Sequence, residues 1–216
     1  MKLWLDAHAY GRSLLWHDRE PWDEPASVGR FAGELCHLLR PWRLVMPLAP
    51  LLLAGSDRNG SAAERAEAFD IKARSPELRN ALTTAVDTLV HSGAAGCYVP
   101  MLPGPSTIAP GLADEDMLDD LVASLGDILR IVGAAAAEGI VLVDEADGDA
   151  RDCLAPLGRV AEHSGARLWI VGDALPRIAW DRLDIDIASQ GLVTIPQGAN
   201  PEAVLETLGR LRNRGE

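Results

Sequence analysis

The sequence predicts an α/β fold built on a parallel sheet. Three observations carry that expectation. Short apolar runs alternate with amphipathic helical stretches along the whole chain. Several runs are apolar throughout, the pattern of strands covered on both faces. And residues 99–146 read as one complete unit: an apolar strand, a Gly104-Pro105-Ser106 turn, a long helix, and a second strand, Ile140 to Val143, ending in Asp144 and Glu145. Such alternation suits a barrel or a doubly wound sheet. The 216 residues fit one domain spanning 1–216, with no linker, repeat or low-complexity tract.

Strand one is expected at Lys2 to Ala7. A long loop, Gly11 to Pro25, follows, and then a helix capped by Ser27 and stopped at Pro41. Strand two is Arg43 to Leu48, and an eighth strand has a candidate near Leu51-Leu52-Leu53. A polar loop, Gly55 to Arg74, holds a short helix around Ala62 to Phe69. Ser75-Pro76-Glu77 opens the next helix with a cap, a first-turn Pro and an acid at the positive end of the dipole. Strand three is Gly96 to Leu102, and a helix from Asp114 to Glu138 leads to strand four. After it come a helix from Asp149 to His163, strand five at Arg167 to Val171, and a helical turn from Leu175 to Leu183. Strands six and seven are Asp184 to Ala188 and Leu192 to Ile195, and Asn200-Pro201-Glu202 starts the last helix.

Composition limits the function. A net charge of −12 opposes a nucleic-acid surface. No apolar run reaches the ~18 residues of a membrane helix, and Asp6 comes too early for a secretory leader. A cytoplasmic protein acting on a small molecule is expected, without nucleic acid or membrane, either as a homodimer or beside a protein partner. Cys36, Cys97 and Cys153 are widely spaced and read as structural thiols without a disulfide framework. No Gly-rich phosphate loop, Gly-x-Ser-x-Gly elbow or His-Glu-x-x-His spacing occurs, so no cofactor and no metal are expected.

In parallel α/β folds, the loops after strands carry the chemistry. Asp144 and Glu145 after strand four are therefore candidates for proton exchange or ligand binding; as helix caps they would be structural. Asp6 and His8, two apart at the end of strand one, would share a face, the carboxylate orienting the imidazole. Those readings make Asp144, Glu145 and His8 the catalytic candidates. Asp6, Ser106, Asp173, Gln190 and Gln197, all near strand ends, are the substrate-binding candidates. In the loop after strand one, Trp16, Trp22, His17 and Asp18 either cover a site or fold back as packing.

The run Pro103 to Ala109, the acidic helix, and Val141-Leu142-Val143-Asp144-Glu145-Ala146 resemble the uroporphyrinogen decarboxylase and cobalamin-independent methionine synthase superfamily. Residues 162–173 resemble its next strand. The likeness covers about Cys97 to Arg212. It implies a TIM-type (β/α) barrel, here short or incomplete, and C1 or methyl transfer or decarboxylation of a small organic substrate. The alternative is a non-catalytic relative that binds a ligand or partner. In the synthases the aspartate matching Asp144 holds the substrate amino group, while zinc sits on a His-x-Cys of the strand matching Trp169 to Gly172. This chain has neither ligand there, and Ala146 stands where the synthases have Pro.

Overall fold

A computed structural model describes residues 2–57, 59–94, 96–134, 136, 138–144, 152–172, 175–183 and 190–213. The strands are β1 (Lys2–Asp6), β2 (Arg43–Pro47), β3 (Tyr98–Pro103), β4 (Gly139–Val143), β5 (Arg167–Ile170), β6 (Arg177–Ile178) and β7 (Gln190–Thr194). They form one sheet in the order β5-β4-β3-β2-β1-β7-β6. Every pairing is parallel. β5 and β6 are the two edges of this order, and an isolated parallel bridge, Val171 to Leu175, lies in the connection between them.

The sheet curls. The Trp4 and Trp169 rings, from β1 and β5, meet edge-on with centroids 5.4 Å apart. Four strand spacings of a flat sheet would separate them by roughly 19 Å. Trp4, Val45, Val99, Val141, Val171, Leu175 and Leu192 form a buried cluster on the concave face. The alternate residues, Leu3, Leu5, Leu44, Met46, Tyr98, Leu102, Ile140, Leu142 and Val193, belong to the larger core shared with the helices. Two buried faces explain why the strands read as unbroken apolar runs.

The helices are α1 (His8–Leu15), α2 (Val28–Leu39), α3 (Ala49–Leu52), α4 (Ala62–Ala73), α5 (Pro76–Val90), α6 (Pro105–Ile108), α7 (Glu115–Gly133), α8 (Ala155–His163) and α9 (Pro201–Asn213). Two caps match the sequence reading, and a third, at the start of α4, was not part of it. Ser75 accepts from the Leu78 amide, and Asn200 from the amides of Glu202 and Ala203. Ser61 and Glu64 form a reciprocal capping box.

Other elements differ from expectation. Ser27 does not cap α2, because two 3₁₀ turns run into the helix and leave Ser27 helical, its hydroxyl donating to the Glu24 carbonyl. The Thr88 hydroxyl of α5 instead accepts from the Gly29 amide. Leu51 and Leu52 lie in α3, not in an eighth strand: Pro50 suits a first helical turn, and Lys72 donates to the carbonyls of Leu51 and Ala54 beyond it. Burial lowers the Lys72 pKa. The expected helical turn at 175–183 is present only as a 3₁₀ turn, Trp180–Arg182, and β6 precedes it, with Arg177 aligned with Leu192. The loop after strand one begins as α1. The strand expected at 184–188 lies outside the described residues.

The α2–α5 contact sets a glycine requirement. A Cβ on Gly29 would stand 2.2 Å from the Thr88 carbonyl oxygen, whereas the nearest atom to one on Gly33 lies at 3.6 Å. Backbone cannot give way as a side-chain tip can. Gly29→Ala is expected to cost about 1–3 kcal/mol through overpacking. Gly33→Ala should be neutral or stabilising by up to about 1 kcal/mol, from helix propensity. Urea unfolding of both variants checks this, and equal effects at the two positions would contradict the close approach.

Candidate functional site at the strand ends

Parallel pairing brings the C-terminal ends of the strands to one rim. Asp6 and Thr194 are aligned there in neighbouring strands. Leu5 and Val193 pack in the helix-side core, while Trp4 and Leu192 pack on the concave face. Alternation therefore turns Asp6 and Thr194 towards the concavity. The Thr194 hydroxyl donates to one Asp6 oxygen at 3.4 Å, and the His8 amide to the other at 3.2 Å. Asp6 keeps some surface exposure, yet burial is the main influence on its carboxyl and raises its pKa. The His8 amide, the charge of His8, the Thr194 hydroxyl and the charge of Arg177 oppose that rise, in that order. Arg177, on the concave side of β6 next after Leu175, is exposed.

His8 takes a different course from the expected pairing. It opens α1 and is not part of an extended strand, so the period-two relation to Asp6 fails. Its Nε2 lies 2.9 Å from Glu20 Oε1, and its ring meets Phe31 edge-on at 5.8 Å. Arg12 holds the other Glu20 oxygen at 2.9 Å and donates to the Asp18 carbonyl at 2.8 Å. The imidazole is thus fixed in the helix layer by Glu20.

Asp144 is buried, 5% exposed. The Ser106 hydroxyl donates to its Oδ1. A Cβ on Gly104 would come within 2.5 Å of its Oδ2, so the carboxylate sits where only glycine leaves room. The Gly104 amide and the Thr107 hydroxyl both donate to the Val143 carbonyl, at 2.7 and 2.9 Å. The Gly-Pro-Ser-Thr turn therefore clasps the end of β4, and Asp144 and Ser106 meet in that clasp.

The remaining candidates separate. Gln197 donates to Asp18 Oδ1 at 3.0 Å, tying the loop after β7 to the loop after α1. His17 and Asp18 there have φ of 51° and 61°, a left-handed pair that side chains tolerate poorly. Gln190 opens β7 and pairs with Lys2, at the opposite end of the sheet from Asp6. Glu145 and Asp173 lie outside the described residues. Trp22 is buried, and Trp16 packs on Phe31 while donating to Glu34 at 2.8 Å, so these tryptophans act as packing. Beside them opens a cleft of about 650 Å³, lined by both signs of charge, among them Arg12, Glu20, Arg30 and Glu34.

Sequence reasoning missed Thr194, Arg177 and Glu20. Thr194 was recoverable, since it lies two residues beyond Leu192 in an expected strand. Arg177 was hidden in a supposed helical turn, and Glu20 in a supposed loop.

Among the described residues, no three His, Cys, Asp or Glu side chains come together as a metal site. None of the described helices is long and apolar enough to cross a membrane. Set against protein-family models, curated proteins and solved structures, the chain matches none.

The clasp predicts a measurable coupling. Gly104→Ala is expected to destabilise the protein, and markedly less so when Asp144 is already alanine. Chemical denaturation of the two single variants and the double variant should give a coupling of roughly 1–3 kcal/mol. Simple additivity would show that the turn and the carboxylate do not depend on each other.

Proposed function

We propose that the chain is a short TIM-type barrel protein, akin in layout to the superfamily it resembles, that acts on a small carboxylate-bearing organic substrate at the strand ends. The observation that carries this reading is Asp6, a carboxyl with a raised pKa at the C-terminal end of a central strand, facing the concavity. Titratable groups held partly out of water beside a specific charged partner, in such positions, are candidates for functional sites. Arg177 supplies the cation for a substrate carboxylate, and the Asp6 carboxyl is the group that gives or takes a proton. Proton transfer to carbon after loss of carbon dioxide needs such an acid, which favours decarboxylation over methyl transfer. Methyl transfer on zinc would call for imidazole and thiolate on β5, where Trp169 and Ile170 stand instead. Asp144, engaged by Ser106, serves to position the Gly104 turn at the rim.

A second reading is a binding protein without catalysis. The concavity below Asp6 is filled by Trp4, Trp169, Leu175 and Leu192, and the buried indole N–H groups of Trp4 and Trp169 have no acceptor among the described residues. An apolar floor with unused donors suits retention of a ligand.

Asp6→Asn tests the proposal and carries a sign for pH. A carboxyl whose folded pKa lies above its unfolded value of about 3.8 weakens the fold as pH rises through that window, because the native state then binds more protons than the unfolded one. Asparagine keeps the acceptor for the His8 amide and removes the charge. Thermal melts should place Asp6→Asn level with or above the parent at pH 7, with the gap closing under acid. A panel of small mono- and dicarboxylic acids, screened by thermal shift and followed by calorimetry, should give a ligand whose affinity falls about tenfold or more in Asp6→Asn and Arg177→Ala. Conversion of that ligand, lost in Asp6→Asn, favours the enzyme; binding without conversion favours the second reading. A panel with no ligand, or one indifferent to both substitutions, removes the site from the strand ends.

A further inference from the structure

Cys36 lies towards the end of α2, and Cys97 immediately precedes β3. They are 61 residues apart in sequence, yet their Sγ atoms stand 2.6 Å from each other. Both are free and partly exposed, which the reading of them as separate structural thiols did not anticipate. We propose that Cys36 and Cys97 are a redox-active dithiol, converted to a reversible intramolecular disulfide by exchange with a low-molecular-weight disulfide.

The two thiols are unequal. Contact with Cys36 pulls the Cys97 pKa down and burial opposes this; the Arg43 cation, which acts on Cys97 and not on Cys36, favours the thiolate on Cys97. The same contact, with burial, pushes Cys36 up. Thiolate is the attacking form, so Cys97 is the nucleophile and Cys36 the resolving thiol. The Cys97 thiolate attacks one sulfur of the small disulfide and expels one thiolate, leaving a mixed disulfide on Cys97. Cys36 loses its proton to that leaving group and attacks the Cys97 sulfur, expelling the second thiolate. The pair gives up two electrons and two protons, and the small disulfide is reduced to two thiols. The product links α2 to the start of β3 and encloses β2 and α3 to α5 in a covalent loop, which stabilises a fold by constraining its unfolded chain.

The third cysteine is a built-in control. Burial, and then the charges of Asp144, Asp119 and Asp152, raise the Cys153 pKa. Asp144 follows the C-terminal end of β4, whereas Cys97 precedes the N-terminal end of β3, so Cys153 sits near the opposite rim from the pair.

The test uses the full chain, reduced and then equilibrated with mixtures of oxidised and reduced glutathione. Free thiols are alkylated and the peptides read by mass spectrometry without reduction. The expected product is a Cys36–Cys97 linkage with Cys153 alkylated, restored to three alkylated cysteines by excess reduced glutathione. Cys36→Ser should accumulate glutathione on Cys97, which has lost its resolving partner. Cys97→Ser should react about tenfold or more slowly at Cys36. Three alkylated cysteines at every ratio, glutathione adducts without the internal link in the parent chain, or a linkage through Cys153 would each overturn the proposal.

Discussion

Strand β1 is held on both edges by segments from distant parts of the chain. Its register against β2 on one side and β7 on the other is fixed residue by residue, and the curl of the sheet turns on it. Both of its faces are buried, Leu3 and Leu5 under the helices and Trp4 in the concavity. A slip of one residue would exchange those faces, sending Trp4 into the helix layer and Asp6 away from the rim. The position of the Asp6 carboxyl is thus a consequence of where two leucines and one tryptophan must go. The burial this forces on a carboxyl is offset in part by the His8 amide and charge, the Thr194 hydroxyl and the Arg177 charge.

The two ends of the sheet do different work. At the C-terminal rim, polar groups come to strand ends and are held by short turns, most tightly where Gly104 and Ser106 close over Asp144. At the other end, Arg43 pairs with Glu138, and the Arg167 guanidinium lies 4.2 Å from the centroid of the Trp169 ring. The absence of a side chain on Gly139 lets that indole lie against the backbone. These contacts floor the concavity with apolar and paired groups. The Cys36–Cys97 contact lies at this end too, against the core on the helix side of the sheet.

The elements legible in the sequence were those whose local chemistry and tertiary role agree. Ser75-Pro76-Glu77 caps α5 because nothing in the fold competes with it. Uninterrupted apolar strands announced a sheet covered on both faces. The failures came where packing outweighed local signals. Ser27 is a good capping residue, but 3₁₀ turns carry helix through it and Thr88 supplies the acceptor from another helix. The leucines after Pro50 suit strand and helix alike, and Lys72, twenty-one residues beyond Leu51, decides between them. At the rim, Asp6 and Asp144 were visible as acids ending apolar runs. The direction of His8 was not, because α1 turns its ring towards Glu20 in a segment with no strong helical pattern. That Gly104 makes room for Asp144 is a contact between two motifs 40 residues apart, and spacing alone could not disclose it.

The proposed strand-end site depends on the Asp6 carboxyl lying in a poorly solvated concavity, with its charge opposed by burial. Carbon-detected NMR of the Asp6 side-chain carboxyl, followed through an acid-to-neutral titration, reads that environment directly. The titration midpoint is expected above the ordinary value of about 3.8. A midpoint at or below that value would mean that solvent or a stronger cation reaches the carboxylate, and the strand-end site would lose its proton-carrying group.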